Sequence, residues 1–441
     1  MRYINLMQQE KNKRKIKSVI VVVNWNGLGL LKGLFDSLKK QTDQNFSLVV
    51  LDNGSRDGSK DFLFNKSENT KMSFSTWVLN AEENYGFALA NNIAISFAFD
   101  YLEFENILLL NNDTRPAKKF VEIMHAKASK YFVSGSPVKN KKRNFPFLSD
   151  SSEWSVGSLA PMIENHFNRG FVDSAGILFS DDGNAINRGV GDKITSFKAE
   201  EEVFGPSGAA VLFRTKALKD VALPPRKIAF IQKINDSNQR LWQISVDRET
   251  EKEGSLPLPI KEFFASRYFA YFEDVDLDLR LRMRFWSCVF VPQAKISHHH
   301  SATGKSYSPF KSFHIHRNQY FNLTRDFPLN RLGSGFLQAF KRYFLLIRSV
   351  REGKGPAAEL AGRNGKLNTV WLVIKGWGSV IANLYGLIKE RLHIQSRNLI
   401  SPEEFDDLLF TFKASKEKMI FETPDSLKAR KKNGAASKDR D

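Results

Sequence analysis

Three short polar clusters in this chain have the residue types that hold phosphorylated ligands. Asn24, Trp25, Asn26 and Gly27 close one apolar run; Asp52, Asn53 and Gly54 close a second; Asn111, Asn112 and Asp113 close a third. Each run is short, aliphatic and bounded by turn formers, the pattern of a strand covered on both faces. In a parallel sheet such turns emerge along one edge, so acids far apart in sequence can line a single crevice. Asp52 there could accept a hydrogen bond from a base imide while Gly54 lets the backbone come close. Asp113 could hold Mg²⁺ or Mn²⁺ against a diphosphate, because such ions usually take one or two carboxylates and complete their shell with phosphate oxygens and water. Plainer readings stand beside both: an Asx turn for Asp52 and a helix cap for Asp113.

A fourth cluster, Glu273 and Asp274, follows the aromatic run Tyr268 to Phe272, where an acid is partly desolvated and its proton affinity raised. Behind it Asp276 and Asp278 precede Arg280, Arg282 and Arg284. That sorting complements a helix macrodipole and offers the i,i+4 pairs Asp276 with Arg280 and Asp278 with Arg282. His298, His299 and His300 invite a metal reading, but neighbours along a strand point to opposite faces, so all three cannot bind one ion.

The elements that position these groups alternate between two periods. Strands are expected at Val19 to Val23, Leu48 to Leu51, Thr76 to Leu79 and Ile107 to Leu110, with helices from Leu30 to Leu38 and from about Phe87 to Phe99. The alternation predicts a layered α/β fold with a mainly parallel sheet. Residues 136–170, rich in Lys, Ser, Asn and Pro, read as a loop. Strand signals resume at Phe171 to Phe179, Ala209 to Phe213 and Val289 to Val291, a helix starts at Glu273, and the polar stretch from Pro224 to about Pro259 shows no clear period.

Two nucleotide motifs fail. GLGLLK from Gly27 has Lys32 where a dinucleotide fingerprint needs its third glycine, and GKS at Gly304 to Ser306 lacks a glycine at the position of His299. Composition sets wider bounds. With 441 residues and 42% hydrophobic content the chain can bury one large core or two modest ones. A net charge of +18 favours partners carrying phosphate, whether nucleotide, nucleic acid or an anionic membrane. The single cysteine, Cys288, allows no intrachain disulfide. Residues 1–16 form a basic tail without the apolar core of a signal peptide. A basic nucleic-acid-binding module would explain the charge, but the cations are spread along the chain rather than gathered in a recognised motif, and no nucleic-acid partner is expected. A metal-dependent nucleotidyltransferase would want two carboxylates converging on a metal pair, and Asn111 to Asp113 supply one.

The segments VIVVVNWNG, SLVVLDNGSRDGS, NYGFALANNIAI, ILLLNNDT, SGAAVLFR, YFEDVDLDLRLR and HHHSATG follow one another in the order and approximate spacing seen in family 2 glycosyltransferases. The sequence resembles their rhamnosyltransferase-like branch over residues 17 to about 325. The resemblance implies a GT-A fold, Rossmann-like and mixed with a mainly parallel sheet, over 17–325, with 224–265 as an insertion. It also implies a nucleotide-diphospho-sugar donor, a divalent cation, inversion at the anomeric carbon, and a glycan or lipid-linked acceptor in surface polysaccharide synthesis. Carried over by position, Asp52 corresponds to the acid that reads the base, with Asn24 and Trp25 beside base and ribose. Asn84, Gly86 and Asn91 correspond to a donor-contacting segment. Asp113 corresponds to the metal ligand, with Asn112 as neighbour, and His298 to a histidine near metal or diphosphate. Asp274 corresponds to the general base, with Glu273 as the alternative. The chain departs from the family by the length of 224–265 and by Phe285 and Trp286 where a glycine is usual, a change expected to alter the acceptor wall.

Beyond Arg331 aliphatics, aromatics and basic residues mix. Thr369 to Ile388 is long enough to span a bilayer, but Lys375, Asn383 and three glycines argue against insertion. An in-plane amphipathic helix on an anionic leaflet is the preferred reading of that stretch, against plain packing onto the catalytic domain; 326–422 as a whole is expected to be a helical, membrane-associating region of a cytoplasmic protein peripheral on the inner face of the plasma membrane. Residues 423–441, charged and small, are expected to be disordered.

Overall fold

The computed structural model describes residues 16–68, 73–132, 154–234, 240–246, 255–299 and 308–421. All but one residue of the expected basic tail, the whole of 423–441 and His300 lie outside them. Strands and helices first alternate: β1 (Ile16–Asn24), α1 (Leu28–Lys39), β2 (Phe46–Asp52), α2 (Ser59–Ser67), β3 (Thr76–Ala81), α3 (Gly86–Tyr101), β4 (Phe104–Leu110), β5 (Thr114–Pro116) and α4 (Phe120–Tyr131). A strand-rich part follows, with β6 (Ser155–Asn165), β7 (Val172–Ser174), β8 (Ile177–Phe179), β9 (Ala185–Asn187), β10 (Glu201–Val203), β11 (Ala210–Arg214), α5 (Thr215–Asp220), β12 (Ile228–Lys233), β13 (Leu241–Val246), β14 (Leu256–Pro259), α6 (Glu273–Arg282) and β15 (Trp286–His298). The rest is helical: α7 (Pro309–Asp326), α8 (Leu329–Glu352), α9 (Gly355–Asn364), α10 (Lys366–Ser396), α11 (Pro402–Thr411) and α12 (Lys416–Phe421).

One mixed sheet runs in the order β10-β15-β6-β11-β4-β1-β2-β3-β13-β12-β14. Its centre, β4-β1-β2-β3, is parallel, and Asn24 pairs in register with Asp52 and Asp52 with Asn80. Alternation along β1 sorts the core. Val19 and Val21 face the apolar side of α3, whereas Ile20 and Val22 face Leu31, Leu34 and Phe35 of α1 and Phe120 of α4. Beyond β4 the strand β11 is antiparallel and β6 and β15 reverse again, so β15 leaves the sheet on the same edge as β1, β2 and β4.

Four expectations change. The loop expected at 136–170 contains the eleven-residue strand β6, whose Gly157, Ser158 and Pro161 hide its nature; pairing along β15 makes it a strand. The stretch without a period, 224–259, contributes β12, β13 and β14, and β13 pairs parallel to β3 to extend the sheet. Phe285 stands in the left-handed region at φ 60, which explains the usual glycine there. It opens β15, thirteen residues from the strand's other end at His298, so it cannot shape a wall on the His298 edge; its ring packs edge-on against Trp154 instead. The helical region begins earlier than expected, because α7 packs along α10.

Candidate active site

The turns after β1, β2 and β4 do meet, and they meet by hydrogen-bonding to one another. Asn24 Nδ2 donates to Asp52 Oδ2 (3.0 Å) and to Ser55 Oγ (3.2 Å), and Asn112 Nδ2 donates to Asn24 Oδ1 (2.8 Å). Asp52 Oδ1 accepts from the Ser55 N–H (2.9 Å), the Asx turn of the plainer reading. Asn24 and Asp52 therefore have no exposed surface. As folded, Asp52 positions Asn24 and the 53–55 turn, and Trp25, 43% exposed, stands open beside them.

A second set of bonds ties the β2 turn to the start of α3. Asn53 Nδ2 donates to Asn84 Oδ1 (2.9 Å), Asn53 Oδ1 accepts from the Tyr85 N–H (2.9 Å), and Asn84 Oδ1 also accepts from the Gly86 N–H (2.9 Å). Gly54 has φ +76, and a side chain there would meet the Glu83 backbone at 2.7 Å. Gly86 has φ +79, and a side chain would strike Phe269 at 2.6 Å. Both positions need glycine for conformation and for space. Asn84 and Gly86 thus stand at the edge; Asn91, inside α3, is fully buried, its Nδ2 donates back to the Phe87 carbonyl (2.9 Å), and its Oδ1 is buried without a hydrogen bond.

Asp113 follows β4, and His298 closes β15 beside it. Their side chains approach at 3.1 Å, Oδ1 to Nε2, yet Asp113 Oδ1 is buried outside hydrogen-bond geometry. The other ring nitrogen, Nδ1, is bonded to Asp173 Oδ2 at 2.6 Å. Burial alone would favour a neutral ring, but the carboxylates of Asp113 and Asp173 outweigh it and push His298 up to about 10. Burial would likewise raise Asp113, and His298 reverses that, leaving it below the ordinary carboxylate range. With one ring nitrogen facing Asp113 Oδ1 and a carboxylate fixing the other, the pair would suit a divalent cation only in exchange for the Nε2 proton, so metal and proton compete for this site. Among the described residues no group of three or more His, Cys, Asp and Glu is placed to hold an ion, so phosphate and water would complete the shell. His299 donates its backbone N–H to the Asp113 carbonyl (3.0 Å), while its ring stacks on His166 at 3.5 Å.

Glu273 and Asp274 open α6 behind a strained loop. Phe269, Tyr271 and Phe272 all have positive φ (63, 67 and 69), a state worth about 1–3 kcal/mol each for such residues. The helix α7 holds the loop: Asn318 Nδ2 reaches the carbonyls of Tyr268 (3.1 Å), Ala270 (3.0 Å) and Tyr271 (2.6 Å), and Arg317 reaches that of Tyr268 (2.7 Å). Asp274 accepts from the Gly208 N–H (2.9 Å) and the Val275 N–H (2.9 Å). The next residue, Ala209, accepts from the Asn111 N–H (2.9 Å), which brings Asp274 to the edge that carries Asp113. Burial raises the proton affinity of both acids. Glu273 is raised well above its ordinary value by burial and by Asp274, and one of its oxygens is buried without a partner. Asp274 is raised by burial, against its two backbone donors. Gly208 and Val275 favour charge on Asp274, whereas Glu273 has a buried oxygen without such a donor.

Of the helix pairs expected in α6, Asp276 and Arg280 form theirs at 2.7 Å. Asp278 and Arg282 do not, because Arg282 turns to Glu202 on β10 (2.5 Å). Asp173, Gly208, Asn318 and Ser55 escaped the sequence reading. Ser55 and Gly208 lie within segments that carry the family resemblance, whereas Asp173 finds its partner 125 residues away and Asn318 its partners 47 to 50 residues away, with nothing local to mark them.

Residues 19–221 match the model of Glycosyl transferase family 2. Over this segment the chain is similar to family 2 glycosyltransferases. No curated protein matches the chain. Among solved structures, TarS of S. aureus is 14% identical with a TM-score of 0.41, and the chain spans 44% of its length while 75% of the chain is covered. The S. aureus TarS 1–349 structure in complex with UDP is 14% identical, TM-score 0.43, covering 91% of each chain. The mannosyltransferase PcManGT of Pyrobaculum calidifontis, in complex with GDP-Man and Mn²⁺, is 13% identical, TM-score 0.41, covering 90% of this chain and 92% of that one. At these scores the likeness does not reach to chemistry.

Proposed function

We propose that the chain is an inverting, metal-assisted glycosyltransferase that moves a sugar from a nucleoside-diphosphate donor to a hydroxyl of a glycan or lipid-linked acceptor. The observation that carries the reading is Asp274, an acid whose proton affinity burial raises, oriented by the Gly208 N–H on the same sheet edge as Asp113 and His298. The acceptor hydroxyl must lose its proton as it attacks the anomeric carbon, and Asp274 takes it. The bond from that carbon to the acceptor oxygen forms as the bond to the diphosphate breaks, which inverts the centre. Glu273, holding its own proton, keeps a second negative charge out of the acceptor side. Trp25 offers its ring to base or ribose. Asp113 and His298 would hold a divalent cation, Mg²⁺ or Mn²⁺, which when bound offsets the charge gathering on the departing diphosphate.

The sequence resemblance makes rhamnose the first sugar to test and surface polysaccharide synthesis, on the cytoplasmic side of the plasma membrane, the setting. Thermal-shift titration with UDP, dTDP and GDP sugars, with and without Mn²⁺, finds the donor, since binding to the native state raises apparent stability. Transfer or slow hydrolysis of that donor is then measured in Asp274→Asn. Turnover should fall by about 10²–10⁴-fold with donor affinity kept. Retained turnover excludes Asp274 as the base.

A further inference from the structure

The outer faces of α8 and α10 are apolar and uncovered. Along α10, Leu367, Trp371, Ile374, Ile381, Tyr385 and Leu392 recur at helical spacing, each more than half exposed. Leu337, Phe340, Phe344 and Ile347 do the same along α8. Apolar stripes of this length are unusual on a soluble surface and mark a contact. Basic residues surround them. Between Leu329 and Ser396 stand eleven Lys or Arg against three acids, all Glu, and Lys341, Arg348, Lys375 and Lys389 are exposed.

We propose that these faces seat the protein on an anionic lipid bilayer, with α10 lying in the plane of the interface. The 31 residues of α10 extend about 46 Å, and by length and hydropathy the helix could cross a membrane. Its inner face forbids that. Gly376, Val380, Leu387 and Ile394 are buried in the protein, where α10 packs along α7. Glu390 on the same side is held in ion pairs by Arg226 (2.7 Å), Arg325 (2.8 Å) and Arg267 (3.2 Å). Surrounding α10 with lipid would strip those pairs in hydrocarbon. A second copy is a poorer occupant, because a two-fold contact would bring each cationic rim against its own copy, whereas anionic headgroups complement it. The inference stands apart from the sugar-transfer reading, since it uses none of the residues assigned to that chemistry.

Flotation of the full chain with vesicles tests it. Vesicles of phosphatidylcholine with phosphatidylglycerol should carry the protein, high salt should weaken the binding, and pure phosphatidylcholine should carry little. Ile374→Ser and Ile381→Ser, both at exposed positions, should each lower the partition by about tenfold with circular dichroism unchanged. Lys375→Glu with Lys389→Glu should lower it on anionic vesicles alone. Tryptophan emission should shift to the blue on binding, and less so in Trp371→Phe. An alkaline, high-salt wash should release the protein; retention would mean a spanning helix and overturn the in-plane arrangement. Absence of flotation, or flotation indifferent to the Ile variants, would overturn the proposal. So would a dimer that those variants dissociate in a protein that ignores vesicles.

Discussion

The two ends of the first turn of α6 make an instructive pair. Among the described residues Glu273 and Asp274 form no ion pair; their neighbours are backbone N–H groups and each other. Asp276, fully buried, lies 2.7 Å from both Arg280 and Arg325. Burial pushes all three carboxyls toward the protonated form, and for Asp276 the two guanidiniums outweigh it and hold the acid below its ordinary range. All three stand in one helical turn, so the macrodipole favours each alike. What separates the ion-paired acid from the two whose proton affinity is raised is therefore the partner rather than the burial.

The strongest way to test that contrast is to remove the structural member. Asp276→Asn leaves Arg280 and Arg325 buried without the charge they bracket, and breaking such a pair costs about 3–5 kcal/mol. Urea unfolding should show that loss as a lower midpoint. A variant as stable as the parent would mean that Asp276 is as free as Asp274, and the contrast would collapse. A third kind of acid gives a smaller effect. Asp173 has an imidazole as its partner, and that ring turns its other nitrogen toward Asp113. Asp173→Asn should weaken Mn²⁺ binding by about 10–100-fold, read by calorimetry or by the spin signal of free Mn²⁺. Unchanged Mn²⁺ affinity would remove Asp173 from the site.

These acids also show how far sequence alone reaches. Runs such as Val19 to Val23 and Ile107 to Leu110 announce themselves because a strand covered on both faces needs an aliphatic at every position. Strand β6 does not, because its stability comes from pairing with β15, and β12 to β14 do not, because they add an edge to β3. The expected Val289 to Val291 grew to thirteen residues by tolerating Pro292 at a register shift between Val291 and Lys295. In the site, position at a sheet edge was legible for Asp52, Asp113 and Asn24, but direction was not. Asp52 turns inward to Ser55 and Asn24, and such a choice depends on partners brought together only by folding. Asp173 shares nothing local with His298, 125 residues on, and Arg325 is tied to Asp276 and Glu390 in the same way.

The subtlest prediction separates Glu273 from Asp274. If Glu273 already holds its proton, Glu273→Gln replaces a neutral acid by a neutral amide, and turnover should change by only a few-fold. The pH profile sharpens this. Activity needs Asp274 ionised, so it should rise with pH through a value above the ordinary carboxylate range, the direction burial imposes. With Glu273 neutral in the parent, that rise stays where it is in Glu273→Gln. With Glu273 charged, deleting its charge would lower the proton affinity of Asp274 and move the rise to lower pH. Stability supplies an independent check. The folded state holds the Glu273 proton more tightly than the unfolded chain, so parent stability declines as pH climbs from the ordinary glutamate range toward the raised value. Glu273→Gln should flatten that decline, and a slope that survives the substitution would mean that the proton sits elsewhere in the pair.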